Sequence, residues 1–406
     1  MSHQVFITGM GLITSIGDNI QENLHSLLAE KSGIGKLTLI ASEWSETLPV
    51  CEIKHSDGTL CQMAGVPKNE GYSRTALLGI IAAKEALSDA DISIIDSFKT
   101  GIISATTVGG MREFERHLYA LLDVTKEGDF RLHAHGTDAG EHTERIADFF
   151  GITAHVSTIS TACSSASNAI IQGAELIKHG YLDRVICGGS DVLSKFTING
   201  FNSLKILDKE HTRPFDASRM GVNLGEGAAF VVLESEKTML ASNKKPKALL
   251  SGYSNSNDAY HQTASSPDGD GAILSMQRSL DMAGLLPSSI DYINCHGTGT
   301  ENNDLSEALA IQKLFSDKIP YFSSTKPNTG HTLAAAGCVE AIYSILSLQH
   351  GVVFSNLNFQ TQMPECAIAP VNSVLKNVAV KHVISNSFGF GGTNTSLLFS
   401  KIDAAI

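Results

Sequence analysis

The sequence predicts an α/β protein of layered sheets and helices. Short apolar runs alternate with longer stretches at helical spacing, from residues 5–8 to 396–399. The alternation starts afresh after Asn243-Lys-Lys-Pro246, a polar, basic segment broken by proline that reads as a linker. Each side of that linker also carries strands that lead straight into turns loaded with polar residues. These observations imply two similar halves, residues 1–245 and 246–406, although no repeat is obvious to the eye.

The first strand is predicted over residues 5–8, followed by a glycine turn, Gly9-Met-Gly11, and an amphipathic helix over 19–29. Gly-x-Gly invites a dinucleotide-binding reading, but Thr14 stands where the third glycine of that fingerprint belongs, and a tight turn explains the pair. A helix follows over 72–88 and a strand over 101–105. Residues 111–150 are more polar and read as a solvated helical excursion. Their histidines (His133, His135, His142) lack the short regular spacing of metal ligands. Strands are predicted at 156–160, 185–188 and 230–233, with a helix at 164–179 closed by Gly180. Past the linker, strands at 248–251, 292–295 and 321–323 alternate with helices at 272–283, 305–315 and 341–349. The last strands are 383–386 and 396–399.

Composition excludes several classes. A net charge of −12 gives no basic face for a nucleic acid. Charged residues make up 18%, below the usual value of about 25%, which implies much buried surface or a subunit interface. The seven cysteines (51, 61, 163, 187, 295, 338, 366) form no CxxC pair, so they read as reduced thiols of a cytoplasmic protein. The N-terminus lacks the features of a signal peptide, and no uninterrupted apolar run is long enough to span a membrane.

Four stretches concentrate chemistry at strand ends. Cys163 stands where a strand turns into a helix N-terminus, whose free amides and dipole favour a thiolate. The plain alternative is a buried structural cysteine. The others are Asn294-Cys-His296-Gly-Thr-Gly-Thr300, Ser324-Thr-Lys326-Pro-Asn-Thr-Gly-His331 and Asn386-Ser-Phe-Gly-Phe390-Gly-Gly-Thr-Asn394. A lone histidine is more often structural, a lysine can be a surface charge, and a glycine run can be only a turn. Taken together, one cysteine, two histidines and a lysine look like a nucleophile, two donors or bases, and a positioning cation. The glycines at 389–392 would let backbone amides approach a ligand closely.

The chain resembles the elongating β-ketoacyl-acyl-carrier-protein synthases, condensing enzymes of the thiolase superfamily. The resemblance runs from Thr8-Gly-Met-Gly11 to Phe399 and rests on five motifs in order. These are Thr161-Ala-Cys163-Ser-Ser, Arg213-Pro-Phe-Asp216 with Gly225-Glu-Gly227, His296-Gly-Thr-Gly-Thr300, Thr325-Lys326 with Gly330-His331, and the run from Asn386 to Asn394. It implies a thiolase-like fold of two similar βαβαβαββ halves in an α-β-α-β-α arrangement. It also implies a decarboxylative Claisen condensation, in which an acyl chain on Cys163 is joined to malonyl-acyl carrier protein with loss of CO₂.

The roles that the resemblance implies are as follows. The amides of Cys163 and Phe390 form the oxyanion hole, while His296 and His331 donate to the thioester oxygen. Lys326, Glu307 and Asp304 orient the histidines, and Thr298 and Thr300 bind the pantetheine arm. Val108, Phe201 and Phe388 line the acyl pocket with Phe390 as its gate, and Lys205, Arg74 and Thr263 meet the carrier protein. No metal or cofactor is implied beyond the phosphopantetheine of the substrates. The expected assembly is a homodimer, or a heterodimer with a chain-length-factor-like subunit. The Cys-His-His set is that of the carrier-protein-primed enzymes; the CoA-primed relatives carry Asn in place of one histidine. Glu301 replaces a common proline and Pro327 a common serine, residues 111–150 match poorly, and the cysteine motif looks somewhat like synthases of polyene-pigment clusters. Two other classes compete: a non-condensing partner subunit, which would not need the intact Cys-His-His-Lys set, and a cysteine hydrolase, which would leave the second histidine and Lys326 without a role.

Overall fold

A computed structural model of the chain describes residues 4–68 and 70–402. The first half runs β1 (Val5–Thr14), α1 (Ile20–Leu28), α2 (Asp57–Ala64), α3 (Arg74–Asp89), β2 (Thr100–Ala105), α4 (Met111–Leu122), α5 (Ala139–Phe150) and β3 (Val156–Ile159). It continues through α6 (Ser165–Lys178), β4 (Arg184–Asp191), α7 (Lys195–Ser203), β5 (Gly227–Ser235) and α8 (Glu236–Ala241). The second half runs β6 (Ala248–Asn257), α9 (Asp270–Ala283), β7 (Tyr292–Asn294), α10 (Glu301–Leu314), β8 (Tyr321–Ser323), α11 (Lys326–Thr329) and α12 (Ala336–His350). A two-stranded ribbon of β9 (Val352–Val353) and β10 (Leu375–Lys376) precedes the closing hairpin, β11 (His382–Gly389) and β12 (Thr393–Ser400).

Ten of these strands form one sheet in the order β3-β2-β4-β5-β1-β6-β12-β11-β7-β8. Read outward from its centre, each half has the same order, β1-β5-β4-β2-β3 on one side and β6-β12-β11-β7-β8 on the other. The orientations match as well. The three outer strands of each half pair in parallel through helical crossovers, and the last strand of each half, β5 or β12, pairs antiparallel with both its neighbours. The halves join along β1 and β6 over only two residue pairs, Phe6 with Leu249 and Ile7 with Ala248.

Burial explains the layering. Small and branched residues of α6 (Ala166, Ala169, Ile170) and α12 (Ala341, Ile342, Ile345) pack into one cluster with strands of both halves. Burying each such branched side chain stabilises the fold by about 1.5–3 kcal/mol. These two helices form the middle layer. Helix α3 covers the outer face of the first half and α9 with α10 that of the second, each over its own apolar cluster. The result is the expected α-β-α-β-α stack.

Two local expectations are corrected. Gly9 and Gly11 lie inside β1, not in a turn. A Cβ at either would stand 2.2 Å from a carbonyl oxygen of α3, Ala86 at Gly9 and Ala82 at Gly11, so the pair marks close strand–helix contact. The excursion at 111–150 is also not wholly solvated. His142 is fully buried, its Nε2 2.8 Å from Ser104 Oγ and its Nδ1 2.8 Å from the Ala139 carbonyl.

Candidate active site

Cys163 sits between β3 and α6, on a turn that the sequence holds under strain. Ala162 adopts φ +53°, a left-handed conformation costing of the order of 1–3 kcal/mol for a non-glycine residue. Neighbouring hydroxyls hold the turn in place. The Thr161 amide donates to Ser165 Oγ at 2.8 Å, and that hydroxyl donates to the Ala162 carbonyl at 2.5 Å. The β11–β12 loop lies directly over the turn, because a Cβ on Gly389 would stand 3.1 Å from the Thr161 carbonyl and 3.3 Å from the Cys163 amide. The backbone N–H groups of Phe390 and Cys163 favour the thiolate of Cys163.

The opposing groups come from the second half. His296 follows β7, Lys326 opens α11 after β8, and His331 follows α11. Ligand-type atoms of Cys163, His296 and His331 lie within 4.8 Å of one another, and the two imidazoles meet edge to face at 5.4 Å. Their tautomers are fixed by their surroundings. His331 Nδ1 accepts the Leu333 N–H at 3.2 Å. His296 Nδ1 lies 3.4 Å from Lys326 Nζ, a group that can only donate. Both rings therefore carry their proton on Nε2, and that of His331 is a buried donor without a protein partner among the described residues.

Burial first, with the Lys326 ammonium adding to it, holds both imidazoles well below their ordinary range, so both are neutral. Lys326 itself donates to the His296 carbonyl at 2.5 Å and to Glu340. Glu307 accepts the amides of His296 and Gly297 at 3.0 and 2.9 Å, and Asp304 those of Thr298 and Phe215 at 2.9 and 2.8 Å. Burial pushes Glu307 and Glu340 up to about 7 and raises Asp304 as well.

Two cavities meet at the sulfur. One, of about 420 Å³, opens past Lys205, Thr263, Thr298 and Thr300 and is lined by both histidines and Phe388. The other, of about 490 Å³, lies behind Phe390 and is lined by Val108, Phe196, Gly200, Phe201 and Leu204. Phe201 and Phe390 stack at 5.8 Å and line both.

Comparison with known proteins gives this arrangement its family. Residues 2–239 match the family described as "Beta-ketoacyl synthase, N-terminal domain", and residues 247–360 match "Beta-ketoacyl synthase, C-terminal domain". The chain belongs to the β-ketoacyl synthase family. It is 32% identical to the 3-oxoacyl-[acyl-carrier-protein] synthase 2 of Staphylococcus aureus, over 99% of both chains. It is also 32% identical to the protein of the same name from Synechocystis sp., over 98% of both. Among solved structures it is similar to the ishigamide ketosynthase/chain length factor, with TM-score 0.91 and 29% identity over 99% of this chain and 100% of that one. This ketosynthase is thus a condensing acyltransferase of fatty-acid or polyketide chain elongation, acting on substrates carried by acyl carrier protein.

The ketosynthase fold brings together nearly every residue that the motifs single out. Cys163, His296, His331 and Lys326 converge, Glu307 and Asp304 support the His296 loop, and Thr298 and Thr300 share a 2.8 Å hydrogen bond in the open cavity. Val108 and Phe201 line the rear cavity, and Lys205 and Thr263 are exposed at the open mouth.

Three expectations fail. Arg74 cannot meet a carrier protein, because it is fully buried and bonded to Glu226 at 2.6 Å. Phe388 lies 5.9 Å from the His296 ring on the open side and does not line the rear pocket. The Cys163 thiol is not lowered. Burial pushes it up to about 11, outweighing the Lys326 ammonium and the Phe390 amide.

Glu340 is absent from the sequence reading. Its signal is a single carboxylate inside α12, whose residues 336–348 are all buried; an acid there needs a cation.

Proposed function

We propose that this ketosynthase extends acyl-carrier-protein primers by two carbons, with Cys163 carrying the acyl chain and His296 and His331 binding the malonyl-derived enolate. The observation that carries the reading is the pair of neutral Nε2–H donors facing the Cys163 sulfur. In the first step Cys163 Sγ attacks the primer thioester, the carbon–sulfur bond to pantetheine breaks, and the thiol proton ends on the departing carrier thiol. The amides of Cys163 and Phe390 are read as the donors to the tetrahedral oxyanion, a contribution of about 3–4 kcal/mol per donor.

Malonyl thioester then occupies the open cavity, its arm against Thr298 and Thr300. Cleavage of its bond to CO₂ leaves an enolate oxygen between the two Nε2–H groups. The enolate carbon attacks the acyl-cysteine and expels the Cys163 thiolate, which takes up one proton from solvent. The products are CO₂, the free thiol and a β-ketoacyl thioester. Lys326 beside both imidazoles opposes a divalent cation at the Cys-His-His cluster, so the chemistry is read as needing no metal.

Substrate preference is read from the rear cavity. With valine at 108, primers of medium or greater length fit, saturated or polyene. The open edge strand β3, with Val156 exposed, and exposed Phe196 and Leu204 beside the rear cavity favour a second family subunit against this face. We read that subunit as a copy of this chain in a homodimer. A heterodimer with a chain-length-factor-like relative is the second reading, favoured by the likeness to the ishigamide pair. The seven free cysteines suit a reducing cytoplasm, and among the described residues no helix is long and apolar enough to cross a membrane.

The test is mass analysis of carrier-bound products from acyl and malonyl carrier proteins with the chain purified alone. A β-ketoacyl chain two carbons longer supports the homodimer reading. Activity that needs an added relative supports the second, and free acid in both cases removes the condensation assignment.

A further inference from the structure

We infer that Glu115 is a positioning residue for acyl-chain selection, acting through helix α7. This rests on reading the cavity behind Phe390 as the acyl pocket. One face of α7 walls that cavity with Phe196, Gly200, Phe201 and Leu204 at its end, and Phe201 is the half of the gate that stacks on Phe390. The position of α7 therefore sets both the width of the pocket and the contact that closes it.

The first turn of α7 is not capped by its own sequence alone. Ser194 Oγ accepts the Thr197 N–H at 3.0 Å, which leaves the two preceding amides to be satisfied from elsewhere. Glu115 accepts both. One carboxylate oxygen takes the Lys195 N–H at 2.8 Å and the other the Phe196 N–H at 3.1 Å. A carboxylate across two amides of a helix N-terminus is a charge-assisted, two-point grip, so it fixes direction as well as distance.

The grip is useful only if its base is rigid, and α4 has such a base. Arg112 and Glu113, beside Glu115 on α4, are both buried. Arg112 pairs with Glu226 at 3.5 Å, and Glu113 accepts the Arg74 amide at 3.1 Å. Glu226 also accepts the Leu193 N–H at 3.3 Å, two residues before α7 begins. On the far flank the Trp44 indole N–H donates to Asn199 of α7 at 2.8 Å. The gate helix is thus tied to a buried charged cluster through α4, while His296, His331 and Lys326 belong to the other half of the chain. Its loosening should alter which primers load without altering malonyl chemistry.

The experiment measures kcat/KM over a series of acyl-carrier-protein primers for wild type, Glu115→Gln and Glu115→Ala, with Val108→Phe as a pocket control. Malonyl decarboxylation is followed separately in a Cys163→Gln background. A well-fitted pocket discriminates neighbouring lengths by about 10-fold or more. Glu115→Ala should flatten that ratio to within about threefold, and Glu115→Gln, which keeps one acceptor, should fall between. Decarboxylation should stay unchanged. An unaltered length profile in Glu115→Ala, or an equal loss for every primer and for decarboxylation, overturns the inference. If Val108→Phe shifts the profile and Glu115→Ala does not, the Glu115 inference alone fails. If neither shifts it, the pocket reading fails with it.

Discussion

Lys326 grips His296 at both ends. Its Nζ donates to the His296 carbonyl at 2.5 Å and stands 3.4 Å from the ring Nδ1, while Glu340 accepts a further hydrogen bond from the ammonium. Replacing Lys326 by methionine leaves Glu340 as a buried carboxylate without its cation. Breaking such a pair costs about 3–5 kcal/mol, so the variant should melt well below wild type. Adding Glu340→Gln should restore much of the melting temperature but not turnover, because Nδ1 remains without its cation. Melting curves and product formation for both variants check this, and an unchanged melting temperature in the single variant would sink it.

Cys163 should behave as a thiol until substrate arrives. Below its value of about 11 the group is neutral, so the reactive thiolate fraction rises tenfold per pH unit up to that point. The logarithm of the iodoacetamide labelling rate at Cys163 should climb with slope near one from pH 7 to 10. A plateau near neutrality would mean a stable thiolate. Cys163→Ser should abolish acyl transfer, since serine is a weaker nucleophile with a still higher pKa, whereas Cys163→Gln should retain malonyl decarboxylation.

The histidines divide the work differently. Substituting His296 or His331 by alanine should lower condensation by roughly 10²-fold or more, with acyl loading of Cys163 affected less. Both imidazoles stay neutral down to well below their ordinary range. Condensation should therefore show no acid limb near pH 6.5, and protonation at lower pH should remove it. Loading and condensation measured separately against pH decide the matter. Equal loss of both steps in either alanine variant would end the division of labour.

Carrier-protein docking should depend on Lys205, exposed at the mouth of the open cavity with a positive backbone φ. Lys205→Glu should raise KM for carrier-bound primers at low salt, and added salt should mask the difference. Indistinguishable low-salt kinetics would move the docking surface elsewhere.

Val108→Phe should narrow the rear cavity and shorten the accepted primers, leaving acetyl- and butyryl-primed turnover largely intact. A primer series on both proteins is the measurement. Matching length profiles would take Val108 out of the pocket.

Much of this was legible in the sequence, for identifiable reasons. Strand-helix alternation gave the layers, and residues clustered at strand ends gave the site, because parallel strands feeding helical crossovers place their C-terminal ends together. What sequence could not give was depth. Arg74 reads as a surface cation, and only packing shows it fully buried against Glu226. The helix start just after Cys163 suggests a lowered thiol, but burial, which local sequence does not show, pushes it up instead. Phe388 and Phe390 are two residues apart, but β11 ends at Gly389 between them, so Phe388 stays in the strand and lines only the open cavity while Phe390 lies in the loop and borders both.

The matched strand order has a consequence for how such enzymes can be inherited. The nucleophile, Val108 and α7 all come from the first half, while both histidines, Lys326 and the Phe390 loop come from the second. Within the sheet the two sides pair along only two residue pairs of β1 and β6, although loops also bridge them, as between Leu224 and His331. A genetic crossover between relatives in the stretch from α8 to β6 would therefore hand on one parent's taste in primers together with the other's handling of malonate. The stacked pair Phe201 and Phe390, one from each parent, would be the joint such a hybrid has to get right.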